Sequence, residues 1–313
     1  MQPLDSSIEE RLSKLEAAIA SLGNKEEDTE DDIKNSVRLA LKKGLVYHLP
    51  LDEGKGTTTR VIGGKKGYAD LLGGAAWDNG KHGSAIRLDG ANDFVSAPGF
   101  TTSLSALTVC AWVKFLSTNS GGGRQYIIDF RGDGGQSNGA NVYLVVDEVS
   151  KTTVKGVARF GSDGPEVITG TLPIKLNSFN HYCARRQSNG RFSYWVDGVQ
   201  MKEHGASKGT LKVLNTFRVG TFFGGKSGQY FTHGSICGVR VYNRALDESE
   251  FKSIYNTLGA CDGIKPAQEK DFSEGLFYHV PLTAGTGKPK ILGSAPLSSS
   301  GDFRGSAKWD GRS

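Results

Sequence analysis

The sequence predicts an all-β fold, a two-sheet antiparallel jelly-roll sandwich, preceded by a short N-terminal helical coiled-coil arm. Three observations carry this. Between residues 44 and 242 apolar residues recur at every second position in short runs, the period of half-buried strands. The runs are separated by turn-forming clusters, and 43 glycines without a collagen period belong to such turns. No apolar run approaches the roughly 18 residues of a membrane helix.

The arm comes first. Asp5, Ser6 or Ser7 can cap a helix there, and Glu9 and Glu10 suit its first turn. Ile8, Leu12, Leu15, Ile19 and Leu22 follow a 4-3-4-3 spacing, the seam of a coiled coil, and Gly23-Asn24 ends it. Two readings stand: an oligomerisation coil, or a helix packed on its own module, since so short a coil is marginal alone. The acidic run Glu26 to Asp32 lacks the alternating ligands and glycine of a calcium loop and reads as a linker or an acidic helix start. Ile33 to Lys43 then reads as a second helix, with Ile33, Val37, Ala40 and Leu41 on one face.

Strands follow. Leu107, Val109, Ala111, Val113 and Phe115 alternate with Thr108, Cys110, Trp112 and Lys114, so the two sets face opposite ways. Residues 126–130, 142–146 and 155–160 read as further strands, as do 217–220 and 235–242. Residues 181–186 and 191–196 flank Ser188-Asn189-Gly190, a hairpin in which Asn-Gly supplies positive φ. A helix is expected from Asp247 to Leu258: Asp247 and Glu250 have capping-box spacing, and Gly259 ends it.

The chain also repeats itself. Gly44-Leu45-Val46-Tyr47-His48-Leu49-Pro50-Leu51 returns as Gly275-Leu276-Phe277-Tyr278-His279-Val280-Pro281-Leu282, with six of eight positions identical. The repeat divides the chain into the arm and linker (1–43), a jelly roll (44–262), a linker (263–274) and the start of a second, incomplete repeat (275–313). Tyr278, Val280 and Leu282 would form a strand needing a partner, which makes them candidates for self-association through an added strand. His48 and His279 hold equivalent positions, which points to a structural role.

A net charge of +5 without a basic stripe argues against nucleic acid as a partner. The N-terminus has no apolar signal core, and no Asn-x-Ser/Thr acceptor occurs. An extracellular or particle-surface location is expected, with the cytoplasm as the alternative.

Specific segments resemble a known family. Trp77 to Val95 resembles the opening of laminin-G-like, concanavalin A-like domains, and Leu107 to Val113 their next core strand. Tyr194-Trp195-Val196-Asp197-Gly198 resembles their Tyr-x-Asp-Gly strand-turn, and Gly234 to Asp247 their closing strand and helix entry. The order is also similar to that of pentraxins, and the resemblance covers residues 44–260. It implies a disulfide between Cys110 and Cys183. Cys237 and Cys261 flank the closing strand and helix and can form a second bridge, but four cysteines allow three pairings, and all four being reduced is the alternative. The resemblance also implies calcium. The region before the closing strand, Thr221 to Gln229, has no carboxylate, so a double site is not expected; a single ion near Asp129, Asp133 or Asn141, or around Asp89 and Asp93, stays open, although the last pair more often makes a structural turn.

Enzymes share this sandwich, and a retaining glycosidase needs two carboxylates about 5 Å apart. No acids stand two or four positions apart on one strand face, and Asp147 and Glu148 are adjacent and so diverge. Catalysis is therefore not expected. The loops 117–125, 131–141, 162–169 and 222–233 instead carry planar polar groups beside aromatics, suited to sugar hydroxyls and ring faces. Arg124, Arg131, Asn138, Asn141, Tyr230 and His233 are the ligand-binding candidates. The expected function is non-catalytic recognition of glycans by an oligomer. The alternative is a structural subunit of a filament, appendage or virion surface.

Overall fold

The computed structural model describes residues 41–257 except 64–66, 81–82, 101–103, 119–122, 132–140, 162–165, 206–213 and 223–229. Two antiparallel layers face each other. In sheet I, β7 (Leu107–Phe115) lies between β16 (His233–Tyr242) and β12 (Phe179–Arg186), and β13 (Phe192–Val196) and β14 (Val199–His204) extend it. The other edge of β16 carries β1 (Leu45–Leu49) and β5 (Ser84–Asp89), with β4 (Ala76–Asn79) beside β5. Sheet II runs from β2 (Thr58–Gly63) through β3 (Gly67–Leu72), β6 (Phe94–Phe100), β15 (Leu214–Val219), β8 (Arg124–Arg131), β9 (Asn141–Ser150) and β10 (Thr153–Phe160) to β11 (Val167–Pro173).

One strand serves two partners because it bulges. β16 pairs with β5 over His233–Ile236 and with β1 over Val239–Tyr242, and its register against β7 slips between Cys237 and Arg240. Gly238 has φ +59° there and donates its amide to Pro50 O at 2.9 Å. β1 also pairs with β2, so the sheets run into one another. At that junction Gly63 has φ +82°, and a Cβ would lie 2.4 Å from Val46 O, which only glycine tolerates.

The alternation on β7 is as expected. Leu107, Val109, Ala111, Val113 and Phe115 enter the core between the sheets, where Phe217 packs on Phe130 at 4.0 Å and Tyr47 at 5.0 Å. The outward face is also buried, which alternation does not foretell. Helix α1 (Glu248–Thr257) lies over it, and Leu41, Cys110, Cys183, Trp195, Tyr242, Leu246, Phe251 and Ile254 form a second apolar cluster. Asp247 Oδ1 accepts the Glu250 amide at 2.9 Å and Glu250 Oε2 accepts the Asp247 amide at 2.9 Å, the expected capping box. Residues 41–44 form a turn rather than the end of a helix, with the Leu45 amide bonded to Lys42 O.

The hairpin from β12 to β13 forms, with a correction: only Gly190 takes positive φ, at +84°. Asn189 instead accepts the Arg191 amide with its side chain at 3.0 Å. The two-residue turn with both φ positive is the next one, Asp197 (+51°) and Gly198 (+77°), between β13 and β14.

The first expected disulfide is also corrected. Cys110 and Cys183 stand directly opposite each other on β7 and β12, but both are free thiols, and Cys183 Sγ lies against the His181 ring instead. Cys237 is disulfide-bonded, and Cys261 lies outside the described residues. Outside them too are the arm positions Ile8, Leu12, Leu15, Ile19 and Leu22 and the repeat positions Tyr278, Val280 and Leu282. No helix among the described residues is long and apolar enough to cross a membrane.

Candidate functional site

The outer face of sheet II carries a group of aromatic and ionic side chains. Leu144 and Val146 of β9 point into the core, so Tyr143, Val145 and Asp147 point outward. Tyr126 from β8 and Val157 from β10 join them. Phe222 and Tyr230, both half-buried, close over this patch from the chain between β15 and β16. The Tyr126 ring lies 5.2 Å from Phe222, 5.6 Å from Tyr143 and 6.1 Å from Tyr230. Tyr230 holds φ +63°, an uncommon conformation for a bulky residue, which fixes its ring over Tyr126.

An ionic bracket borders these rings. Arg124 Nε lies 2.7 Å from Asp147 Oδ1, and its other nitrogens donate to Asp147 Oδ2 at 3.0 Å and to Glu166 Oε1 and Oε2 at 3.0 and 3.3 Å. The Tyr143 hydroxyl donates a short bond to Glu166 Oε1. The two carboxyls are driven apart. Burial pushes Asp147 above the usual carboxylate range against the attraction of Arg124. Burial pushes Glu166 up as well, but the bonds from Arg124 and Tyr143 outweigh it and hold Glu166 below that range.

This pair escapes a search for acids two or four positions apart, because Asp147 and Glu166 stand on neighbouring segments. It still does not make a glycosidase centre. Both carboxylates are held by one guanidinium, whereas acid and nucleophile must face a sugar from either side. The bracket can present fixed polar groups beside aromatic edges.

The ligand-binding candidates divide. Arg124 and Tyr230 meet on this face. Arg131 and Asn141 pair in register at the opposite end of β8, seven residues and about 23 Å along the strand. His233 belongs to a clamp: its amide donates to buried Gln125 Oε1 at 2.7 Å, and its Nδ1 lies 2.9 Å from Ser117 Oγ. Asn138 lies outside the described residues. Tyr126, Tyr143, Asp147, Glu166 and Phe222 were not expected from sequence.

Among the calcium candidates, Asp129 is buried opposite Arg218 on β15, and the two charges attract. Asp133 lies outside the described residues. Asp89 and Asp93 make a turn: Asp89 Oδ1 accepts the Ala91 amide at 2.8 Å, and Asp93 Oδ2 accepts the Asp89 amide at 3.0 Å.

A search of curated proteins finds no match. Among solved structures, domain 4 of AbnA, a GH43 extracellular arabinanase from Geobacillus stearothermophilus solved with arabinotriose, is 18% identical, with TM-score 0.51 over 68% of this chain and 98% of that one. The botulinum neurotoxin serotype D ligand-binding domain, solved with N-acetylneuraminic acid, is 9% identical, with TM-score 0.53 over 71% of this chain and 53% of that one. A heptameric pentraxin from Limulus polyphemus is 17% identical, with TM-score 0.45 over 55% of this chain and 78% of that one. At these identities the arabinanase and neurotoxin domains show a likeness of fold alone. A laminin G-type model, described as the concanavalin A-like lectin/glucanases superfamily, matches residues 89–252, just over half of the chain and the span from the end of β5 into α1. The chain therefore belongs to the laminin G-type family of the concanavalin A-like lectin/glucanase superfamily.

Proposed function

We propose that this protein is a non-catalytic glycan-recognition module that reads its ligand on the outer face of sheet II. The observation that carries the reading is the juxtaposition of half-buried Phe222 and Tyr230 with the Arg124–Asp147–Glu166 bracket. Rings supply faces for the C–H side of a sugar, and fixed charged groups supply hydrogen bonds to its hydroxyls. The arabinotriose and N-acetylneuraminic acid bound by the two fold relatives support a glycan as the ligand class. A single site of this kind is weak, and the heptad spacing of Ile8, Leu12, Leu15, Ile19 and Leu22 in the sequence is the reason to include presentation as an oligomer, where avidity multiplies it.

Glycan-array binding of the full chain tests this. Tyr230→Ala and Phe222→Ala should each remove binding while the circular dichroism spectrum stays unchanged. Binding retained by both variants refutes the site. Binding should also persist in EDTA, because Asp129 faces Arg218; loss on chelation would restore the calcium reading.

The internal repeat favours a second reading, a structural subunit assembled through residues 275–313. No glycan binding, together with a native mass that falls when those residues are deleted, would favour it over the first.

A further inference from the structure

Beneath α1, three soft or borderline metal-binding side chains converge in a part of the molecule that glycan recognition does not use. Cys183 and His181 stand two residues apart on the outward face of β12, and Cys110 faces Cys183 from β7. All three are buried, and their donor atoms lie within 4.8 Å of one another. Cys183 Sγ is 3.5 Å from His181 Nδ1 and 3.6 Å from Nε2. A metal bonded at 2.0–2.3 Å to three donors in a plane separates them by roughly 3.5–4.0 Å. Sulfur–nitrogen distances of this size suit shared coordination, and loading requires the imidazole to rotate so that one nitrogen faces the centre.

We infer that Cys110, Cys183 and His181 form a buried three-coordinate site for a soft monovalent cation, Cu(I). Two observations choose the ion. Zn(II) is almost always four-coordinate, and no fourth His, Cys, Asp or Glu joins the group among the described residues. The Trp112 ring packs 4.9 Å from His181, and Tyr242, Trp195 and Phe251 enclose the thiols. Thiolate donors suit both Cu(I) and Zn(II), and imidazole suits both metals as well, so coordination number and charge choose between them. The second observation is charge. Fully buried Arg240 stands opposite Cys110 on β16, and its field reaches both His181 and Cys183. Two thiolates and Cu(I) carry one net negative charge, which the Arg240 guanidinium offsets, while the Asp197 carboxylate acts on Cys183 in the opposite sense. With Zn(II) the centre is neutral and receives no such stabilisation from Arg240.

Loading breaks two S–H bonds and forms two Cu–S bonds and one Cu–N bond. Both protons leave to solvent, and no electron is transferred. The site cross-links β7 to β12 under the helix.

The test is to refold the reduced full chain anaerobically with Cu(I) held by a competing chelator, then measure retained copper and its X-ray absorption spectrum. One Cu(I) per chain, three-coordinate with two sulfurs and one nitrogen, is expected. Cys110→Ser and Cys183→Ser should weaken retention by more than the roughly 10–100-fold that an outer-shell change costs, and Cys237→Ser should leave it unchanged. If the serine variants misfold, the wild-type spectrum alone decides the ligand set. Copper retained by Cys110→Ser, tetrahedral Zn(II) taken in preference from an equimolar mixture, or a Cys110–Cys183 disulfide persisting under reductant each overturns the assignment.

Discussion

Gly156 on β10 packs against Tyr194 of β13 across the core, and replacing it with alanine measures that contact. Its backbone does not need glycine for conformational reasons, since its φ is not positive. The obstacle is across the core: an added Cβ would lie 2.4 Å from Cε1 and 2.5 Å from Cζ of Tyr194. Ordinary carbon contacts are about 3.5–4.0 Å, so the ring must retreat by about 1 Å. Tyr194 is fully buried in β13, and its hydroxyl donates to Val145 O at 3.2 Å. Overpacking of this kind costs about 1–3 kcal/mol, and stranding the buried hydroxyl adds about 1–3. Against this, alanine recovers about 0.4–1 kcal/mol of chain entropy. Gly156→Ala should therefore destabilise by about 2–4 kcal/mol, read as a lower urea midpoint. In a Tyr194→Leu background, which removes the ring carbons it strikes, the same substitution should be neutral or slightly stabilising. An equal cost in both backgrounds would refute the reasoning, because the penalty would then be local to β10.

Three further outcomes are expected. Asp247→Ala removes the α1 cap and should cost about 1 kcal/mol while speeding amide exchange across residues 248–257; unchanged exchange would disconnect the cap from the cluster beneath it. His48 is buried with both ring nitrogens unbonded, and burial, then the charges of Arg240 and Arg60, hold it well below its ordinary 6.5. The unfolded chain thus takes up that proton first, so stability is full above pH 6.5 and falls as the pH drops below it; His48→Leu should reduce this slope in denaturant titrations, the remainder coming from His181, which burial also holds well below its ordinary value, and an unchanged slope would exclude His48 as a source. Glu166 is held below 4.5, so its contribution is full above that pH and declines beneath it; Glu166→Gln should remove the acid-side loss of glycan binding, and wild-type behaviour in the variant would detach the bracket from the site.

Local rules were legible wherever neighbouring residues decide the outcome. The β7 alternation, the Asp247–Glu250 capping box and the β12–β13 hairpin needed only spacing and residue type. The polar outer strands were not legible: β14, Val-Gln-Met-Lys-Glu-His, has little apolar face to announce it because one side meets water. The site was half legible. Arg124 and Tyr230 carry chemistry visible in a loop, but Tyr126, Tyr143 and Glu166 read as ordinary strand and loop residues until the sheet sets them side by side.

By itself the sequence determined the all-β class, the capped helix and the family, since each rests on short-range periodicity or on a motif that survives as a string. Tertiary structure decided what those periods cannot carry. The outward face of β7 is a second core because α1, 140 residues on, covers it. Asp147 and Glu166 share a guanidinium because β8 and β9 pair and Glu166 enters beside them. Cys110 meets Cys183 and His181 only through the β7–β12 register. Pairing between distant strands is set by closure of the whole sandwich, a sum over many weak contacts that no local window contains.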